Sequence, residues 1–131
     1  MIESFTVRTT GRSGMTNITG QVADAVGALG VTGGAVAVYT PHTTAAVTIN
    51  ESADPDVVRD IVTTLGETLP VRGDYHHAEG NSDAHIKSSL VGCSELVLVE
   101  DGKLVLGTWQ GVFFCEFDGP RTRKVYVSTL G

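Results

Sequence analysis

Positive charge is scarce in this 131-residue chain: nine Lys and Arg stand against fifteen Asp and Glu, for a formal net charge of −6. Nucleic-acid binding requires clustered Lys and Arg to neutralise phosphates, so no nucleic-acid partner is expected. The one local exception is "GPRTRK", Gly119 to Lys124. Cysteine is as sparse, with Cys93 and Cys115 alone and no CxxC spacing, so neither a disulfide framework nor a zinc knuckle is signalled. Cys93 follows an expected helix end, whose dipole raises a thiol pKa, and Cys115 falls in an apolar strand. Both are expected to be buried structural thiols. No apolar run approaches the roughly 20 residues of a membrane span. "MIESFTVRTT" carries an early acid and alternates in polarity, unlike a secretory signal. A cytoplasmic protein with no membrane partner is the expectation.

Disorder is excluded too, because 41% hydrophobic and 18% charged residues are globular values. With no composition break, repeat or low-complexity segment, residues 1–131 read as a single domain with one core.

"ESFTVRTT" alternates and reads as a strand. "TNITGQVADAVGALG" sets Ile18, Val22, Val26 and Leu29 three and four apart, one stripe of a helix with Gly30 as its stop. "GAVAVYT" and "TAAVTIN" are β-branched and small, hence strands, with "PHT" between them. "DPDVVRDIVTTLGETLP" is the clearest helix. Asp54 caps it, Pro55 suits its first turn, Pro70 marks the exit, and Val57, Val58, Ile61, Val62, Leu65 and Leu69 form its buried face. "SDAHIKSSLVG" reads as a shorter helix capped by Ser82 or Asp83 and stopped at Gly92. The remainder is β: "SELVLVE", an Asp101-Gly102 hairpin turn, "KLVLG", "GVFFCEFD" and "RTRKVYVS". The expected class is α+β, with helices packed on a layered, largely antiparallel β-sheet. Many strands are apolar on both faces, which calls for a second sheet layer or a subunit interface.

The residues that bear chemistry cluster in "HHAEGNSDAH", which holds three of the four histidines. His77 and His85 are joined by a loop through Gly80 and can converge, and His42 is the natural third partner. Three imidazoles would suit a divalent metal, while the same atoms serve acid/base catalysis without one. Asp83 then either fixes a histidine tautomer or only caps the helix. His76 and Glu79 read as solvated. Lys87, with Ser88 and Ser89, lies one turn into a helix whose start favours anions, or else on its solvent face. Trp109 and Gln110 sit in a glycine-flanked turn, as a stacking wall with an amide or as turn packing. Glu116 interrupts an apolar strand on the face of Phe114 and needs a partner, Arg121 or Arg123. Glu51 ends a strand before a helix, where functional groups concentrate.

Three long stretches, "HTTAAVTINESADPDVVRD", "GNSDAHIKSSLVG" and "LGTWQGVFFCEFDGPRTRKVYV", resemble the YjbQ family, described as the secondary thiamine-phosphate synthase enzyme family. The match covers nearly the whole chain. The resemblance implies a homotrimer in which His42, His77 and His85 meet in a pocket, with a bound divalent metal such as zinc or magnesium, beside Asn81, Asp83 and Glu51. It also places Trp109, Gln110, Glu116 and Arg121 on the family's C-terminal motif.

Three functions are expected from these residues. A thiamine-phosphate synthase-like transferase would join a thiazole phosphate to a pyrimidine methyl diphosphate, with Mg²⁺ or Lys87 and Arg121 stabilising the departing pyrophosphate and Trp109 stacking on the heterocycle. Glu51, Asp83 and His85 are its candidate catalytic residues; Asn81, Lys87, Trp109, Gln110 and Arg121 would hold the small phosphorylated substrate. A metal-dependent hydrolase of a small phosphate ester would use His42, His77 and His85 as ligands, with Glu51 or Asp83 as base. A non-enzymatic trimer would bind a metal or small molecule.

Overall fold

The computed structural model describes residues 1–130. The element order is β1 (Ile2–Arg8), β2 (Gly14–Asn17), α1 (Thr19–Leu29), β3 (Gly33–Tyr39), β4 (Ala45–Glu51), α2 (Pro55–Thr68), α3 (Ser82–Val91), β5 (Ser94–Glu100), β6 (Lys103–Leu104), β7 (Gln110–Glu116) and β8 (Thr122–Thr129). Five strands form one sheet in the order β1-β8-β3-β5-β6, and three form another in the order β2-β7-β4. Every strand pair is antiparallel. The α+β expectation holds, and a second sheet covers one apolar face of the larger one.

Valine builds the space between the sheets. Val36, Val38, Val97, Val99, Val125 and Val127 of the larger sheet face Val47, Val112 and Phe114 of the smaller one, with Ile18, just before α1, and Val22 and Val26 of α1 completing the cluster. Branched side chains suit two facing pleated surfaces because their χ1 freedom is already limited. The other face of the small sheet carries a minor cluster, Ala46, Cys115 and Phe117, which packs against Ala84 of α3 and Leu65 of α2. The Asp101-Gly102 turn has φ of 52° and 73°, the left-handed pair that a two-residue hairpin requires.

Several boundaries differ from the sequence reading. Met15 to Asn17 belong to β2, so the helix starts at Thr19. A strand of four residues is too short for alternation to register. β6 stops after Leu104. On α2, Asp54 accepts from the Asp56 N–H at 2.9 Å and Pro55 opens the helix as expected, yet no residue of the helix is fully buried. Its apolar face leans on the small sheet without being enclosed. α3 is preceded by Asn81, not capped by Ser82 or Asp83, and no side chain bonds its first N–H groups. Cys115 is buried as expected, but Cys93 is exposed. The outer face of the larger sheet leaves Leu96 and Leu98 of β5, Tyr39 of β3 and Val105 in solvent. No helix is long and apolar enough to cross a membrane among the described residues.

One polar knot joins the two sheets. Glu116, the last residue of β7, is 2% exposed, and Arg123 of β8 is 3% exposed. Arg123 Nε donates to Glu116 Oε1 at 2.8 Å, and its Nη2 donates to Glu116 Oε2 and to the Thr44 hydroxyl. Removing one member of a buried ion pair strands the other, at about 3–5 kcal/mol. Glu116→Ala is therefore expected to lose about that much stability by urea denaturation. A loss below about 1 kcal/mol, the range of an exposed pair, would contradict the knot.

Candidate functional site

The knot is also the floor of the candidate site. Besides Arg123, Glu116 accepts the Thr9 hydroxyl at 2.8 Å and the Asp118 N–H at 3.0 Å, so both carboxylate oxygens are satisfied. Burial pushes its pKa up, but the bonds from Arg123, Asp118 and Thr9 outweigh this and hold it below the usual carboxylate value. Thr9 follows β1 and Thr44 precedes β4, so one ion pair fixes the ends of four strands.

A second closed pair lies under α3. Asp83 is fully buried; Arg12 donates to both its oxygens at 3.0 and 3.1 Å, and Lys87 Nζ donates at 2.8 Å. Burial alone would raise the Asp83 pKa, yet the Arg12 and Lys87 bonds bring it below the ordinary value. An ionised carboxylate held by three donors is a poor base, so the expected catalytic role of Asp83 is corrected to a structural one. Lys87, 3% exposed, is likewise spent on Asp83.

Above these pairs opens a cleft of about 330 Å³ lined by His42, Thr43, Thr44, Glu79, Asn81, His85, Asp118, Arg121 and Arg123, among others. The turn after β7 supplies Asp118, whose Oδ2 accepts from Asn81 Nδ2 at 2.9 Å and Arg121 Nη2 at 3.1 Å. Arg121 Nε donates to the Asp118 carbonyl at 2.8 Å, which aims an otherwise exposed guanidinium. Asn81 Oδ1 is buried with no partner among the described residues. An orphaned acceptor costs about 1–3 kcal/mol, which a ligand N–H or O–H would recover. An adjoining hollow shares His42, Thr43 and His85 and reaches the exposed Cys93.

His42 is held in a defined state. Its Nε2 accepts the Lys124 backbone N–H at 2.9 Å. A neutral imidazole has one lone pair and one N–H, so Nδ1 carries the proton and acts as a donor. Burial lowers its pKa from 6.5, and the charge of Arg123 lowers it further against an opposing pull from Glu116. His42 is thus a neutral donor, not an acid.

The residues expected to form one site divide into two groups. His42, Asn81, His85 and Arg121 border the cleft, and His77 stands edge-on to His85 with ring centroids 5.5 Å apart. Glu51, Trp109 and Gln110 lie at the opposite end of the small sheet. β4 pairs with β7 so that Ala45 faces Glu116 and Glu51 faces Gln110. Six strand steps separate the two ends, about 20 Å. Glu51 Oε2 accepts the Ala53 N–H, and Gln110 Oε1 accepts the Gly107 N–H, so both hold turns. Trp109 is 63% exposed and stacks on nothing in the cleft.

The divalent metal implied by the resemblance finds no three-residue ligand set among the described residues of this chain: no group of three His, Cys, Asp or Glu stands close enough to hold one. The His42 lone pair that would ligate it is taken by Lys124. Sequence reasoning missed Thr9, Arg12, Thr44 and Asp118, which lie in short loops without periodicity. The demand of Glu116 for a partner was the one signal that led toward them.

Comparison with known proteins agrees with this architecture. A sequence model described as UPF0047 protein YjbQ-like matches residues 3–131. A UPF0047 protein of Methanocaldococcus jannaschii is 49% identical over 131 residues, covering 100% of this chain and 95% of that protein. YugU of Bacillus subtilis, also a UPF0047 protein, is 49% identical over the whole of both chains. A crystal structure of an uncharacterised YjbQ/UPF0047 protein from Clostridium acetobutylicum superposes with a TM-score of 0.95 at 52% identity, covering 98% of this chain and 99% of that one. A hypothetical protein from Aeropyrum pernix gives a TM-score of 0.94 at 40% identity, with 100% and 98% coverage. The chain belongs to the YjbQ/UPF0047 family.

Proposed function

We propose that the cleft takes the phosphate of a small phosphorylated molecule, and that the protein is a metal-independent transferase with His85 as its acid/base group. The supporting observation is that three groups suited to this task border one cleft: the Arg121 guanidinium, the neutral Nδ1–H donor of His42 and the half-buried His85 imidazole. Arg121 and His42 offer donors to phosphate oxygens. Asn81 Oδ1 accepts from a hydroxyl or amine on the same molecule. A departing phosphate or pyrophosphate gains charge as its bond breaks, and prearranged donors stabilise that charge best. The thiamine-phosphate synthase activity implied by the family resemblance is one reaction of this type. The metal-dependent hydrolase reading is less supported, because its ligand set does not assemble. In this account His42 and Arg121 hold the anion, Asn81 orients the substrate, and His85 moves the proton.

The exposed apolar face of the larger sheet also supports the homotrimer reading, since Leu96 and Leu98 would then be covered by neighbouring copies. Light scattering is expected to give a trimer mass that Leu98→Glu reduces. A monomeric wild-type mass would remove this reading.

The functional reading is tested by turnover on a panel of small phosphorylated substrates, with phosphate and pyrophosphate release followed after chelator treatment. Arg121→Ala is expected to raise KM about tenfold or more, the worth of a charge-assisted hydrogen bond. His85→Ala is expected to lower kcat by about 10²-fold or more with the fold intact. Turnover that disappears with the chelator and returns only with added divalent metal would overturn the metal-independent mechanism.

A further inference from the structure

α2 is amphipathic without being packed. Val57, Val58, Ile61, Val62, Leu65 and Leu69 form its apolar stripe, and none of them is fully buried. Of these, Leu65 alone packs against the minor cluster of Ala46, Ala84, Cys115 and Phe117. The helix stands off the small sheet, and an open groove of about 510 Å³ lies between them. Met15 of β2, Cys115 of β7 and the following Phe117 line its sheet side, and Ile61 and Leu65 line its helix side. Val91, the last residue of α3, adds a further aliphatic side chain. The polar members are Thr48 and Asn50 of β4 and Asp60 and Thr64 of α2. Cys115 alternates with Glu116 along β7, so the groove lies on the opposite face of that strand from the Glu116–Arg123 pair. It stands whether or not the cleft takes a phosphate.

Charge around the groove has one sign. Glu51, Asp54, Asp56, Asp60 and Glu67 are accompanied in that stretch only by Arg59, which pairs with Asp56 at 3.7 Å. Asp60, on the groove itself, has no ion-pair partner among the described residues. The volume falls in the roughly 300–1,000 Å³ range of small-molecule sites. Its walls suit a flexible chain rather than a stacked ring. Ile61, Leu65 and Val91 are aliphatic, Met15 and Cys115 present polarizable sulfur, and Phe117 is the one aromatic ring on its surface.

We propose that the groove binds a cationic amphiphile, whose alkyl chain lies between α2 and the small sheet and whose ammonium group meets Asp60. Apolar surface left in water is unfavourable in proportion to its area, and a chain laid along Ile61 and Leu65 removes it. A second copy of this chain fits less well. Its exposed Leu96 and Leu98 lie on the larger sheet, and a chain of net charge −6 brings no surplus of cations to an acidic rim.

Calorimetry on the full chain with octylamine, octanol and octanoate, three probes with one tail and different heads, tests this. Octylamine is expected to bind saturably at one site, octanol about fivefold weaker, and octanoate weaker than both. Asp60→Asn should bring octylamine to the level of octanol. Ile61→Gln, at a half-buried helix position and checked for folding by circular dichroism, should weaken all three about threefold or more. No saturable binding of octylamine overturns the proposal, and so does octanoate binding as tight as octylamine. A folded Ile61→Gln variant that binds like the wild type overturns it as well. Octylamine affinity that falls as protein concentration rises would mark a groove covered by a second copy, which also overturns it.

Discussion

The buried Glu116–Arg123 pair is the constraint on which the rest of the site depends. Two charges withdrawn from water cost several kcal/mol each, and their attraction repays that only if every remaining donor and acceptor is met. Here the payment is complete: Thr9, Thr44 and the Asp118 N–H close the shell. Such a pair adds little net stability over a packed apolar substitute. Its effect is on register. β8 can slide past neither β7 nor the segment before β4 without leaving a bare charge in the core, so His42, Asp118 and Arg121 arrive at fixed positions.

From that floor the chemistry follows by elimination of charge. Asp83 is neutralised by Arg12 and Lys87, and Glu116 by Arg123. What remains at the cleft surface is Arg121, paired with Asp118, the carboxylate of Glu79, the two imidazoles and a half-buried amide. A protein with a net charge of −6 thereby presents a small set of donors at one place. The proposed anion site rests on the His42 Nδ1–H and on the part of the Arg121 guanidinium that Asp118 leaves free. The pKa of His42 is lowered first by burial and then by the charge of Arg123, and protonating Nε2 would also break its bond with the Lys124 N–H. Its lowered pKa means the folded state resists that proton. The contribution of His42 to stability is therefore complete above pH 6.5 and is lost as the pH falls below it.

Much of the fold was legible in the sequence. The stripe of Ile18, Val22 and Val26, the Asp54-Pro55 start and the Asp101-Gly102 turn are local signals, and local signals are what periodicity and turn chemistry report. Strands apolar on both sides announced a second layer. The failures are long-range. The register of β4 on β7, which carries Glu51, Trp109 and Gln110 away from the histidines, involves residues some sixty positions apart in sequence and leaves no local mark. Lys87 read as an anion donor or a solvent-face residue, and Asp83 as a cap or a partner for histidine, because helical spacing cannot show that Arg12, from a loop 71 residues earlier, bonds Asp83. His42 and His85 drew attention because histidine titrates near neutral pH and ligates metals, and both border the cleft.

The central claim is that His42 serves the cleft as a neutral Nδ1–H donor to an anion. Long-range ¹H–¹⁵N correlation of the imidazoles, during a pH titration with and without inorganic phosphate, tests it most directly. The account predicts an unprotonated Nε2 on His42, a titration midpoint below 6.5, and saturable shifts at His42 and His85 with phosphate while His76 stays unmoved. A protonated Nε2 on His42, or a phosphate response equal at all four histidines, would contradict it.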